Sequence, residues 1–282
     1  MGGTTFARAR KNALATFAFA LTALLAPHLA HAEAPGLPPV SDPEARGAAI
    51  AAENDARDRG WGDARADMKM VLTNASGETS ERALRFMMLE NTDRSDGDWS
   101  LMTFERPRDI EGTALLTYSH IKDADDQWLY LPTVKRVKRI SSTNKSGPFV
   151  GSEFAFEDFS TQQVGKFAYK WLKDEACGDR TCHVIERKPL YEDSGYTRET
   201  VWVDTTDYQF RKIDYYDRKD TLLKTLTYQN YALYENKFWR PGELDMVNHE
   251  SGKTTKLIWE GYKFRTGLTK DDFTTASLER AR

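Results

Sequence analysis

Between Gly62 and Phe264 apolar and polar residues alternate with a period of two, and turn residues interrupt the alternation about every ten positions. Ala66, Met68, Met70 and Leu72 alternate with Asp67, Lys69, Val71 and Thr73. Beyond the turn at Ser76-Gly77, Leu84, Phe86 and Met88 alternate with Arg85 and Met87, which predicts a strand pair. Similar runs predict strands over 99–105, 113–121, 127–131, 134–140, 181–187, 196–204, 209–218, 222–234, 238–248 and 254–264. Short strands at this spacing, joined by Asp-Gly, Asp-Asp and Ser-Gly turns, predict a mainly β fold: one large antiparallel sheet, curved or closed.

A few stretches depart from the alternation. Pro43 to Arg59 is rich in Ala, Glu and Arg, with Ser41 or Asp42 as cap and Gly60 as stop, so a helix is expected there. The run after Gly151, SEFAFEDFS, predicts a short helix, residues 164–176 read as a second helix or a strand, and the tail from Leu268 is expected to end as a short helix. No internal break resembles a linker, so residues 33–282 are expected to form a single domain.

The first 32 residues differ from the rest. Arg8, Arg10 and Lys11 precede the uncharged apolar run Ala13 to Leu25, and Ala30-His31-Ala32 supplies small residues at the cleavage positions, the pattern of a secretory signal peptide cut before Glu33. The apolar run falls short of the roughly 20 residues of a bilayer span. No cysteine lies at the cleavage point, so a freely soluble protein outside the cytoplasm is expected. The whole chain carries a formal charge of −3, more negative once the basic leader is gone, which argues against nucleic-acid binding. Its two cysteines, Cys177 and Cys182, flank Gly-Asp-Arg-Thr; in an oxidising compartment they are expected to form a disulfide pinning a hairpin.

Catalytic chemistry finds little support. His28 and His31 leave with the leader, and His120, His183 and His249 share no metal-ligand spacing. Ser146-Gly147 and Ser194-Gly195 are turn-like and lack the nucleophile elbow. The carboxylate pairs Asp125-Asp126, Glu157-Asp158 and Asp271-Asp272 read as turns or helix caps. Neither a catalytic site nor a metal or cofactor is expected. By contrast, Phe86, Met88, Met102, Phe104, Tyr118, Trp128, Tyr130, Trp202, Tyr215, Tyr228, Trp239 and Trp259 all fall on strand-like segments, many at alternating positions. With few helices to cover it, such a face either closes around its own side chains or leaves an apolar trough for apolar ligands. Leu101-Met102 and Leu115-Leu116 are apolar at successive positions, and unbranched methionines can repack around ligands of differing shape. Lys135 to Arg139 form the strongest charge cluster, read either as an edge strand protected by its charges or as a docking surface for an acidic partner or anionic head groups.

Three runs, Trp128-Leu129-Tyr130-Leu131-Pro132, Arg136-Val137-Lys138-Arg139-Ile140 and Phe149 to Asp158, occur in order. They are followed by Trp202-Val203-Asp204, Tyr215-Tyr216-Asp217 and Asp271-Asp272-Phe273. This ordered set resembles the LolA-like outer-membrane lipoprotein-sorting protein family, with Ala155 departing from the polar residue expected before Phe156. The resemblance implies a strongly curved antiparallel sheet, an incomplete barrel with short helices over an apolar cavity. It also implies a non-enzymatic periplasmic carrier of acylated lipoprotein or lipid between inner and outer membranes. An inner-membrane transporter of the resistance-nodulation-division type is the partner it suggests, and the competing expectation is a subunit that couples such a transporter to an outer-membrane partner. Leu84, Phe86, Met88, Met102, Phe104, Leu116, Tyr118, Trp128, Tyr130, Leu257 and Trp259 are expected to line the cavity, and Phe154, Phe156 and Phe159 to form a lid. Arg136, Lys138 and Arg139 are the docking candidates, with transient membrane-surface contact and a monomeric state.

Overall fold

Thirteen alternating segments pair into one antiparallel sheet in the computed structural model, which describes residues 1–3, 36–92, 94–161 and 163–280. Apart from residues 1–3, the predicted signal peptide and its cleavage point lie outside the described residues. From one edge the order is β6 (Arg136–Arg139), β5 (Asp126–Leu131), β4 (Ala114–Tyr118), β3 (Trp99–Arg106), β2 (Thr79–Leu89) and β1 (Asp63–Thr73). It continues through β15 (Thr254–Phe264), β14 (Glu243–Asn248), β11 (Leu222–Gln229), β10 (Phe210–Tyr216), β9 (Arg198–Asp204), β8 (Arg180–Pro189) and β7 (Phe167–Cys177). A separate hairpin joins β12 (Ala232–Tyr234) and β13 (Phe238–Arg240). The edges β6 and β7 do not pair with each other, so the barrel is incomplete. Its two meanders meet where Met68 lies opposite Trp259 and Met70 opposite Leu257.

Residues directly opposite each other across a ladder share a face. One face therefore carries Met68, Leu84 and Phe104, then Phe86, Met102 and Leu115, and on the other meander Leu257 and Leu244 followed by Met246, Leu226, Ile213, Val201 and Ile185. This is the inner face, covered by the connection from β6 to β7. The opposite face of β3 to β5 is apolar too. There Leu101, Ala114, Leu116 and Tyr130 pack under Leu268, Phe273 and Leu278 of the tail, which ends in α2 (Thr275–Arg280).

Helix α1 (Pro43–Arg57) begins with Pro at its first turn and the Asp42 carboxylate accepting from the Ala45 N–H at 3.1 Å. It lies along the edge strand β7. A Cβ on Gly47 would stand 2.7 Å from the backbone N of Trp171, so only glycine allows this approach. One sheet edge is thus covered by a helix, while the other, β6, is a short strand of charged residues.

Several expected boundaries shift for local reasons. The run 222–234 breaks at Asn230, whose φ is +57°, and 238–248 breaks at Pro241-Gly242, where proline has no N–H to donate. Residues 164–176 resolve as a single 3₁₀ turn, Val164–Lys166, followed by β7. The predicted helix in SEFAFEDFS is only the 3₁₀ turn Phe156–Phe159. Cys177 and Cys182 form a disulfide, Cα atoms 5.9 Å apart, at the end of the β7–β8 hairpin. Among the described residues no helix is long and apolar enough to cross a membrane.

Candidate functional site

The connection from β6 to β7 crosses the inner face as a chain of short turns, Ser142–Asn144, Phe149–Gly151, Phe156–Phe159 and Val164–Lys166. Its anchor is Phe149, fully buried, with ring centroids 5.7 Å from Phe104, 5.5 Å from Phe156 and 4.7 Å from Phe159. Val150 is held at φ +46°, an unusual conformation for a β-branched residue, and its carbonyl accepts from Arg82 Nη1.

Charged bonds fix this lid to the sheet. Lys224 Nζ lies 2.7 Å from Asp158 Oδ2, with the two side chains only 4% and 3% exposed. The same ammonium donates to the Glu153 carbonyl at 3.2 Å, and Asp158 Oδ1 accepts from the Tyr196 hydroxyl at 2.8 Å. Asn248 Nδ2 donates to Glu153 Oε2 at 2.6 Å. Glu157 accepts from the Gly195 N–H at 2.8 Å and the Ser194 hydroxyl at 3.0 Å. Burial, reinforced by the neighbouring Asp158 charge, pushes the Glu157 carboxyl up to about 7.

Between lid and sheet lies a cavity of about 230 Å³. From the sequence-predicted set it brings together Phe86, Met88, Phe154, Phe159, Leu257 and Trp259. Leu84, Met102 and Phe104 share the inner face but are buried outside the lining, Phe104 beneath Phe149, and Phe156 packs edge-on against Phe149. Leu116, Tyr118, Trp128 and Tyr130 correct the expectation: they lie on the opposite face, in or against the cluster covered by the C-terminal tail. Leu115 stands opposite Met102 and faces inward, so Leu116 must face outward. The Tyr118 hydroxyl donates to the Phe273 carbonyl, tying down that tail.

Sequence reasoning missed Trp61, Phe210, Leu226 and Leu244 in the lining. Leu226 and Leu244 were detectable by the same alternation that marks Phe86 and Met88. Beyond Phe210 the inner face turns polar: Arg187 Nε donates to Glu199 Oε2 at 2.7 Å, both side chains are buried, and the guanidinium stacks 4.7 Å from the Phe167 ring centroid. Burial alone would push the Arg187 guanidinium down, but the Glu199 charge outweighs it and holds Arg187 protonated. This pair places buried charge, not apolar surface, at that end of the inner face.

The cavity adjoins a polar recess of about 280 Å³, with Trp61, Asp98, Thr161, Phe210 and Tyr228 lining both. Asp55, Asp58, Glu90 and Asp96 line the recess as well, with Arg59 and Arg94 among them. Burial pushes the Asp98 carboxyl up to about 6. Arg136, Lys138 and Arg139 are exposed on the edge strand β6. Arg139 is paired with Asp126, which lies 3.2 Å from His120 Nε2, and His120 Nδ1 lies 2.5 Å from Asp96 at the recess. Burial opposes a charge on His120, yet Asp96 and Asp126 raise its pKa above the ordinary value. Among the described residues no group of three or more His, Cys, Asp or Glu could hold a metal ion.

A family model described as an uncharacterized protein matches residues 96–280. The chain is 49% identical to an outer membrane lipoprotein-sorting protein domain from Vibrio parahaemolyticus over 83% of this chain and 99% of that one, with a TM-score of 0.81. A DUF1329 family protein from Desulfovibrio piger is 27% identical over 84% of this chain and 99% of its own, with a TM-score of 0.79. A LolA superfamily protein from Nitrosomonas europaea shares the fold at 20% identity and a TM-score of 0.66, covering 81% of this chain and 97% of that one. No curated protein matches the chain.

Proposed function

Since the chain belongs to the LolA-like outer-membrane lipoprotein-sorting protein family, we propose that it is a non-enzymatic periplasmic carrier that shields acyl chains of lipoproteins or lipids between inner and outer membranes. The observation that carries this reading is the apolar cavity between the lid and the inner face, walled by Phe86, Met88, Phe154, Phe159, Leu257 and Trp259. Each methylene moved from water into such a cavity contributes about 0.8 kcal/mol, so the affinity for cargo grows with the length of chain the cavity shields. Its size adds a constraint. At about 230 Å³ the cavity lies below the roughly 300–1,000 Å³ of small-molecule pockets, so the closed form takes one short chain segment and larger cargo displaces the lid.

Loading and release then require an outside surface that engages the membrane machinery. The exposed basic strand β6 supports docking to an acidic partner, for which an RND-type inner-membrane transporter is the candidate suggested by the family resemblance. The test is native mass spectrometry of the mature protein purified from periplasm, with extraction of bound lipid, for wild type, Met88→Asp and Phe159→Asp. The expected result is an acylated species on the wild type and its loss from both variants. Unchanged retention in both would move the cargo site elsewhere. An empty wild type would favour the coupling-subunit reading, with β6 as its contact.

A further inference from the structure

Where the apolar cavity meets the polar recess, three aromatic residues, Trp61, Phe210 and Tyr228, border both spaces together with one carboxylate, Asp98. Register turns these side chains inward. Phe210 stands opposite Val203, two residues on from the inward Val201, and Tyr228 stands opposite the inward Leu244. Their rings meet edge to face with centroids 5.9 Å apart. Trp99 stacks on Tyr118 at 4.3 Å on the outer face, so Asp98, one residue earlier, points to the same side as Ser100 and Met102.

Asp98 is the carboxylate whose charge is left over. Asp55 pairs with Arg59 and Arg94, Asp58 with Arg240 and Asp96 with His120, while Glu90 accepts from the Gly60 and Gly62 N–H groups. Asp158, on the cavity side, is balanced by Lys224. Asp98 accepts from the Asn91 N–H at 2.9 Å, and among the described residues no cation touches it; Arg94 acts on it only from a distance. Arg187, 5.7 Å from the Phe210 ring centroid, is itself neutralised by Glu199. The junction therefore presents electron-rich ring faces and one uncompensated negative charge beside an apolar space, which attracts a cation and repels an anion.

We propose that this junction binds the ammonium head of a cationic amphiphile whose apolar chain lies in the cavity, with Asp98 as counter-charge and Trp61, Phe210 and Tyr228 as a cation–π wall. The inference rests on the carrier reading and adds to it the charge of the cargo's head group.

Calorimetric titration of the mature protein at pH 8, above the value of about 6 to which burial raises Asp98, uses octyltrimethylammonium, octanol and tetramethylammonium. Wild type binds octyltrimethylammonium about tenfold more tightly than octanol, which has the chain without the charge, and tetramethylammonium, the head without the chain, at least about tenfold more weakly than octyltrimethylammonium. Asp98→Asn keeps an acceptor for the Asn91 N–H and removes the charge; the affinity for octyltrimethylammonium falls about tenfold while that for octanol stays unchanged. Phe210→Leu keeps an apolar wall without the ring face and also weakens the cation more than the alcohol, a second check should Asp98→Asn disturb its loop. A cation bound no more tightly than octanol by wild type, or equal losses for the two ligands in the variants, or no loss in either variant, would overturn the head-group site while leaving the apolar cavity in place. Tetramethylammonium binding as tightly as octyltrimethylammonium would overturn the amphiphile. Failure of wild type to bind either octyl ligand would instead remove the carrier reading at this cavity, and the head-group site with it.

Discussion

Lys224→Met tests whether the lid is held by its buried charges. The substitution keeps the length of the aliphatic stem but removes the ammonium 2.7 Å from Asp158 Oδ2, stranding a carboxylate whose side chain is 3% exposed. Removing one member of a buried pair typically costs about 3–5 kcal/mol. Asp158 retains the Tyr196 hydroxyl at 2.8 Å and the Ala155 N–H at 2.6 Å, which places the expected cost near the lower end, about 3 kcal/mol. For a chain of this size that corresponds to roughly 6–12 °C in Tm if the loss is global. Asp158 sits on the lid, however, and can reach water if the lid alone releases. Part of the loss then appears as local opening, with amide hydrogen exchange across Phe149 to Phe159 accelerated up to about a hundredfold. Exchange mass spectrometry and a thermal scan read the two contributions together. Adding Asp158→Asn removes the stranded charge, keeps an acceptor oxygen for the Ala155 N–H and turns the amide NH2 toward the Tyr196 hydroxyl, which can accept as well as donate, so most of the loss is recovered. A Lys224→Met protein within about 0.5 kcal/mol of wild type and with unchanged lid exchange would refute the latch.

Further outcomes follow from other groups. Glu157 is raised from 4.5 to about 7, chiefly by burial, so the folded protein keeps a proton that the unfolded chain releases. Its contribution is complete below 4.5 and is lost as pH rises through about 7. Lid protection should weaken over that interval in wild type and much less in Glu157→Gln, measured by exchange at several pH values. Replacing Cys177 and Cys182 by serine opens a crosslink of sequence separation 5; loop-closure entropy puts the loss near 2 kcal/mol, checked by denaturant titration. Tyr118→Phe removes the hydroxyl that holds the Phe273 carbonyl and should loosen the C-terminal tail by about 1 kcal/mol with no change in ligand uptake; an uptake defect would put Tyr118 back among the cavity residues.

The extent of the sheet was legible because alternation and turn residues are local signals, and its incomplete closure followed from the family resemblance. Facing was not legible in β3 and β4. Leu101-Met102 and Leu115-Leu116 are apolar on both sides because the lid covers one face and the C-terminal segment the other, so alternation offers no way to choose. That ambiguity sent Leu116, Tyr118, Trp128 and Tyr130 to the wrong side. Where the opposite face carries a charged residue, as at Arg85 beside Phe86, the same reasoning reached a residue of the cavity wall. The pairs Lys224 with Asp158 and Arg187 with Glu199 were invisible for another reason. Strand register sets Arg187 opposite Glu199, and only the path of the lid across the sheet brings Asp158 to Lys224.

The open seam between β6 and β7 is bridged by one covalent strap, and that strap is the lid itself. Arg139 ends the basic strand and Phe149 anchors the lid a short way along the same stretch of chain. Grip and door therefore share a handle. A body that seizes β6, or extends the sheet by pairing with its edge, holds the strand from which the lid departs. The chain between them is pinned on the way, Ile140 N–H donating to the Gln127 carbonyl and Lys145 Nζ to the Asp125 carbonyl, so these two bonds must yield before attachment outside loosens the closure inside.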